Sequence, residues 1–229
     1  MFKGIIFDFN GTLFFDSEKH LDAWRKYSAK LRGTAFTDDE MRKYMFGRTN
    51  EDIIAYAIGE KPSKELVEQL AKEKEAVYRD MCRMDKENTV LAPGAVKLLN
   101  FLKENNIPHT IATMSEKDNV DFYIEEFKLS NWFDIDKIVY SDGTLPGKPA
   151  PDIYLKAAKK LGLEPQECIV VEDAISGIDS AKSAGIGKII AIASMESKEL
   201  YKNIPAVSQI IENFDEIDRN IFEIPCLKN

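Results

Sequence analysis

Ile5-Ile6-Phe7-Asp8-Phe9-Asn10-Gly11-Thr12-Leu13 is an apolar run that closes on a carboxylate and breaks at once into a turn. Unbroken apolarity over so few residues is the pattern of a strand buried on both faces of a parallel sheet, not of an amphipathic helix. Residues 3 to 8 are therefore read as the first strand, with Asp8 at its carboxyl end. Three further segments place chemically capable residues in short motifs: Ile111-Ala112-Thr113, Gly147-Lys148-Pro149-Ala150-Pro151-Asp152, and Ile169-Val170-Val171-Glu172-Asp173.

Outward from these motifs the chain has two textures. From Ala92-Pro93-Gly94 onward, helix signals near 94 to 104, 116 to 127, 150 to 161 and 174 to 184 alternate with strand-like runs at 107 to 113, 136 to 140, 167 to 171 and 187 to 192. Such alternation predicts an α/β doubly wound parallel sheet, in which ligands bind beyond the carboxyl ends of the strands. Asp8, Thr113 and Asp173 stand at or just after those ends, so residues remote in sequence can share one crevice. Between residues 16 and 90 no strand is expected. Trp24, Tyr27 and Leu31 recur at helical spacing, Asp38-Asp39-Glu40 opens a helix, and residues 63 to 82 carry a period near 3.6. The expected organisation is a core of 1–15 and 91–229 with a helical domain, 16–90, inserted into it. The tail after Ile204 is expected to add a last strand and helix.

Bulk properties set limits. In 229 residues, 44% hydrophobic and 31% charged content is ordinary for a globular protein. The net charge of −8 offers nucleic acid or an anionic membrane no general attraction, so an anionic substrate needs a local positive site and a metal. Cys82, Cys168 and Cys226 are odd in number and far apart, which speaks against a disulfide framework or a zinc cluster. Neither a signal peptide nor a membrane span of roughly 18 apolar residues is visible. A cytoplasmic monomer acting on a small molecule is expected.

Phosphoryl transfer needs a nucleophile, charge neutralisation and a proton donor for the leaving oxygen. Asp8 suits the nucleophile, since a carboxylate can form an aspartyl-phosphate and divide the reaction into two steps. Alone, it would read as a turn residue. Glu172 and Asp173 directly follow a strand, where a carboxylate pair could hold Mg²⁺ through oxygens and waters; alternatively, Asp173 caps the helix starting at Ala174. Lys148, fixed between Gly147 and Pro149, could neutralise both nucleophile and phosphate, although a lone Lys is ordinarily a solvated surface charge. Thr113, with the backbone of Met114 and Ser115 at a helix start, could donate to phosphate oxygens.

Together the four motifs resemble the haloacid dehalogenase-like phosphohydrolases, in the branch that contains β-phosphoglucomutase, and the resemblance spans essentially the whole chain. It implies a Mg²⁺-dependent phosphatase for a small phosphorylated metabolite, with the helical insertion as a cap that excludes water and selects the substrate. It also implies Asp8, Asp173 and the backbone carbonyl of Asn10 as metal ligands, with Glu172 acting through water. Within the cap it points to His20, to Arg48 and Thr49 in Gly47-Arg48-Thr49-Asn50-Glu51, and to Lys74 as substrate contacts; by residue type alone, a His on an amphipathic helix is more often structural. The mutase pattern has an arginine where this chain has Asn50, with Arg48 nearby. The departure is Asn10 itself, because the family carries there an Asp that serves as general acid and base. An amide cannot exchange that proton, and losing such a group costs on the order of 10²- to 10⁴-fold in rate. Asn10 is thus compatible with a substitution made to trap a complex, a natural enzyme using another acid/base, or a phosphometabolite-binding protein without turnover. A sugar-phosphate mutase is the alternative within enzymes.

Overall fold

A computed structural model of the chain describes residues 1–45, 50–194 and 197–224. The chain forms two compact units, Met1–Phe15 with Val90–Asn229, and Asp16–Thr89.

The Asp16–Thr89 unit holds α1 (Ser17–Arg32), α2 (Asp38–Tyr44), α3 (Asn50–Ile58) and α4 (Lys64–Met84), and no strand among its described residues. Local chemistry fixes the helix ends. Gly33 takes φ 81°, a left-handed conformation a side chain resists, and its N–H returns to the Ala29 carbonyl to close α1. Thr37 and Glu40 form a reciprocal capping box at the start of α2, and Ser63 accepts from Leu66 N–H at the start of α4. The apolar faces then meet around Trp24, Tyr27, Phe36, Met41 and Ile54, all buried. Each such side chain contributes about 1.5–3 kcal/mol by leaving water.

The other unit is built on a six-stranded parallel sheet: β1 (Gly4–Phe7), β2 (His109–Glu116), β3 (Val139–Ser141), β4 (Cys168–Glu172), β5 (Lys188–Ile192) and β6 (Gln209–Ile211). Its order is β3-β2-β1-β4-β5-β6. Helices α5 (Ala95–Glu104), α6 (Lys117–Glu126), α7 (Asp152–Leu161), α8 (Ile175–Ser183) and α9 (Glu199–Lys202) lie between the strands in sequence. The chain winds away from β1 through β2 and β3, then returns to β1's other side with β4, which makes β1 the switch point where ligand crevices form. Register places the motifs: Phe7 pairs with Ile111 on one side and with Val171 on the other. Asp8, one residue on, is thereby level with Ala112 and Glu172. Ile6, Val170, Ile153, Tyr154 and Ile178 pack in the core around these strands, all fully buried.

Three expectations from the sequence are corrected. Residues 114 and 115 belong to strand β2, because pairing with β3 continues to Glu116 opposite Ser141, and α6 starts only at Lys117. Met114 and Ser115 therefore lie on a strand end and not in a first helical turn. At α8 the N-cap is Ala174, without a side-chain cap bond; its N–H is taken instead by Glu172 Oε2 at 2.7 Å, so Asp173 is not the cap. In the tail, the described residues form β6 and two single 3₁₀ turns, Phe214–Glu216 and Arg219–Ile221. Asn213 and Asp218 each accept from the N–H two residues on, and this local bonding competes with a continuing helix. Cys168 is a buried free thiol, Cys82 is buried, and Cys226 lies outside the described residues. Among the described residues no helix is long and apolar enough to cross a membrane.

Candidate active site

Beyond the carboxyl ends of β1, β2 and β4 the four motifs of the sequence converge. Lys148 reaches into the sheet end, its Nζ 2.6 Å from Asp8 Oδ1 and 2.5 Å from Glu172 Oε1. Glu172 is held on every side: Tyr154 Oη donates to the same Oε1 at 3.0 Å and Ala174 N–H takes Oε2. Gly177 makes room for it, since a Cβ at that residue would sit 1.7 Å from Oε1. Asp173 accepts from Thr12 Oγ1 at 3.1 Å through its side chain and from Tyr201 Oη at 2.6 Å through its carbonyl. Its carboxylate packs against the backbone of Gly11, where φ is 73° and a Cβ would lie 2.1 Å from Asp173 Oδ2. Only glycine satisfies both the turn and that close approach.

The electrostatics of the cluster are those of charges taken out of water. Burial alone would lower the Lys148 pKa, but the Asp8 and Glu172 carboxylates outweigh it and hold the ammonium protonated. Asp173 is pushed well above the usual carboxylate range, first by burial, then by the negative charges of Glu172 and Asp8. The Tyr154 phenol is likewise raised by burial, then by Glu172.

Among the described residues no group of three or more His, Cys, Asp or Glu side chains forms a ready-made metal-ligand set. The donor chemistry nevertheless suits a small hard cation. Asp8 and Asp173 are carboxylate oxygen donors, buried or close to it, at the same sheet end, and the negative charge gathered there with Glu172 is what a dication would offset. Mg²⁺ keeps several waters and needs only one or two carboxylates from the protein. The residues present fit it.

Asn10 is the centre of a second network. Its Nδ2 donates to Tyr123 Oη at 2.8 Å, while its Oδ1 accepts from Ser115 Oγ at 2.7 Å and, more weakly, from Thr113 Oγ1 at 3.4 Å. Thr113 Oγ1 in turn accepts from Ser115 N–H at 3.1 Å. The Thr113 hydroxyl, expected to face a phosphate, is thus turned toward residue 10, as is the Ser115 hydroxyl. Met114, between them, is half-buried against the core.

Within the helical unit, His20 and Lys74 form a pair of their own. Lys74 Nζ lies 3.2 Å from His20 Nδ1, and His20 Nε2 lies 3.3 Å from Asp16 Oδ2. An ammonium can only donate, so Nδ1 is the acceptor and Nε2 carries the hydrogen directed at Asp16. Tyr78 stacks on the imidazole at 4.0 Å and donates to the same Asp16 oxygen. Arg48 and Thr49 lie outside the described residues.

Asp8, Asn10, Thr113, Ser115, Lys148, Glu172 and Asp173, all named from sequence, come together in one unit. Tyr123, Tyr154 and Gly177 did not announce themselves. Each sits on a helix where an aromatic reads as core and a glycine as a weak point, and only the register of those helices on the sheet reveals what they touch.

Known proteins resemble the chain in sequence and in fold. The model of the haloacid dehalogenase-like hydrolases matches residues 2–185. A phosphorylated carbohydrates phosphatase from Thermotoga maritima is 31% identical over 193 residues, 83% of this chain and 85% of that protein. A crystal structure of a HAD hydrolase, family IA, variant 3, from Entamoeba histolytica superimposes with a TM-score of 0.89 at 44% identity, covering 95% and 96% of the two chains. A putative β-phosphoglucomutase from Thermotoga maritima gives 0.71 at 26% identity over 93% and 95%.

Proposed function

Because the chain belongs to the haloacid dehalogenase-like hydrolase family, we propose that it is a Mg²⁺-dependent phosphatase that removes the phosphoryl group from a small phosphorylated metabolite, a sugar phosphate foremost. The observation that carries this reading is the Lys148 ammonium held between Asp8 and Glu172 at the end of the central strand. It sets a positive charge against a buried carboxylate at the switch point of the sheet, where a nucleophile is needed. The relative named as a phosphatase of phosphorylated carbohydrates supports the choice of substrate class.

In this reading Asp8 attacks phosphorus, a bond from its Oδ to phosphorus forms, and the bond to the ester oxygen breaks. Water then attacks the aspartyl-phosphate and returns the carboxylate. Lys148 offsets the negative charge that nucleophile and phosphate bring together. When bound by Asp8, Asp173 and the Asn10 carbonyl, with Glu172 acting through water, Mg²⁺ supplies charge neutralisation at the phosphoryl oxygens. Thr113 and Ser115 orient what lies at residue 10. Asn10 can hydrogen-bond the leaving oxygen but delivers no proton, so good leaving groups are favoured and turnover is slow. The helical unit, read as a cap domain, selects the substrate, with His20, Arg48, Thr49 and Lys74 as its contacts.

A sugar-phosphate mutase is the second reading, favoured by the His20–Lys74 pair and by the structural likeness to a putative β-phosphoglucomutase. Incubation with a broad panel of phosphomonoesters, with and without Mg²⁺, decides. Release of inorganic phosphate that requires Mg²⁺ supports the phosphatase, an isomeric sugar phosphate without phosphate release supports the mutase, and saturable binding with neither product refutes both.

A further inference from the structure

Position 10 is occupied by an amide held between two hydroxyls. The Tyr123 ring stacks on Phe9, the residue before Asn10, with centroids 4.2 Å apart and planes at 21°, and Phe127 meets Phe9 edge-on at 5.6 Å. The phenol oxygen is therefore fixed relative to the backbone that carries Asn10, and it stands 2.8 Å from Nδ2. On the opposite side Ser115, on β2 beside β1, holds Oδ1 at 2.7 Å. The amide stands with its N–H toward Tyr123 and its carbonyl toward Ser115, and because a hydroxyl can donate or accept, what the two bonds hold is the place of the side chain.

A second observation bears on the same bond. Asn followed by Gly is the sequence in which the next backbone nitrogen most easily attacks the side-chain carbonyl, because glycine offers no steric hindrance. In that reaction a bond forms between Gly11 N and Asn10 Cγ. Ammonia leaves Cγ carrying the proton lost from Gly11 N, and water opens the resulting ring to Asp or isoaspartate. Here Gly11 N–H donates to the Phe14 carbonyl at 2.7 Å, and the Asn10 side chain is tied by its bonds to Tyr123 and Ser115, which rotation toward Gly11 N would strain.

We infer that Tyr123, with Ser115, is a positioning residue for Asn10: the two hydroxyls hold the side chain in place for the phosphoryl site and restrain it from reaching Gly11 N, so that residue 10 stays an amide. The first half rests on the phosphatase reading; the second does not depend on it.

Tyr123→Phe keeps the ring and its stack while removing the hydroxyl, and Ser115→Ala removes the other; Ser115→Thr retains a hydroxyl and serves as the conservative rescue. Each protein is incubated in mildly alkaline buffer, and the peptide from Asp8 to Leu13 is followed by mass spectrometry for Asp and isoaspartate. Steady-state kinetics are measured on freshly prepared protein. Loss of one hydrogen bond implies that Tyr123→Phe converts Asn10 about 5- to 10-fold faster, with a melting temperature lower by no more than about 2–5 °C, a lower kcat and an unaltered KM. Ser115→Ala should behave alike, and Ser115→Thr like the parent. Should Tyr123→Phe and Ser115→Ala deamidate at the parental rate, the inference is overturned, whatever the activity. It is equally overturned if activity falls only in proportion to a lost melting transition. If deamidation accelerates while neither parent nor variants release phosphate from any ester, the restraint of Asn10 stands and the phosphatase reading fails.

Discussion

Replacing Gly177 by Ala adds one methyl group at a place where two effects of opposite sign compete. Inside an α-helix, Ala is preferred to Gly by about 1 kcal/mol, and propensity alone would have the variant more stable. Packing says otherwise. The added Cβ would lie 1.7 Å from Glu172 Oε1, 2.0 Å from its Cδ and 2.5 Å from Oε2, well inside contact distance. Glu172 has nowhere to go: it is 1% exposed and bonded to Lys148, Tyr154 and Ala174 N–H. Forcing an extra carbon into a filled interior costs about 1–3 kcal/mol. Each hydrogen bond to a charged group that is given up adds about 1.5–3 kcal/mol. Against a gain of about 1 kcal/mol, the variant should be less stable by roughly 2–5 kcal/mol. At about 2–4 °C per kcal/mol for a chain of this size, the melting transition should fall by roughly 5–15 °C. Thermal unfolding followed by circular dichroism reads this directly, and phosphate release should fall with it as Lys148 loses its seat. Combining Gly177→Ala with Glu172→Asp retracts the carboxylate by one methylene and should recover part of the loss, a coupling that independent sites would not show. A single variant that melts at or above the parental temperature would refute the steric argument.

Three other outcomes are expected. Asn10→Asp, verified by mass spectrometry, should raise phosphatase activity by about 10²-fold or more, since a carboxyl at that place can carry the proton an amide cannot; no gain on any ester would sink the proton-transfer explanation. Burial pushes the Cys168 thiol up to about 12, so alkylation at neutral pH should spare it until the protein unfolds, and rapid labelling of native protein on the Cys168 peptide would contradict that. His109 titrates below its usual 6.5 because burial outweighs the pull of the Ile107 and Trp132 carbonyls on its ring nitrogens. The unfolded chain therefore takes up the proton first as pH falls, so this stability is complete above about pH 6.5 and lost below it. Urea melts between about pH 7.5 and 5.5 should show a shallower loss for His109→Gln than for the parent, and equal slopes would dismiss the assignment.

Three of the motifs were legible because each combines a strand end with a residue type that a strand end rarely needs, and the fourth because Gly147 and Pro149 fix a lysine in the loop before α7. Asp8 after Ile5-Ile6-Phe7 and Glu172-Asp173 after Ile169-Val170-Val171 fall beside each other because the parallel register of β1 and β4 leaves no alternative once both runs are buried. Boundaries were less legible. Met114-Ser115, after the strand end at Thr113, read as a helix start, yet β3 keeps pairing with this strand through Glu116, a tertiary influence no local pattern carries. Tyr123 and Tyr154 were invisible as site residues, because a tyrosine on an apolar helix face differs from a phenylalanine there by one oxygen, whose partner is set by where the helix packs. Gly177 was hidden for the converse reason: its importance lies in an atom it lacks.

The covalent step through Asp8 is tested most directly by acid-quenching the Mg²⁺-loaded protein within the first turnover of an activated phosphomonoester such as p-nitrophenyl phosphate. With a leaving group that needs no acid and with Asn10 unable to activate water, phosphorylation should outrun hydrolysis. The Asp8 peptide should then carry the mass of one phosphoryl group, and the label should be lost on hydroxylamine treatment and absent from Asp8→Asn. Phosphate release by the parent with an unlabelled Asp8 peptide at every time point, or undiminished turnover by Asp8→Asn, would contradict it.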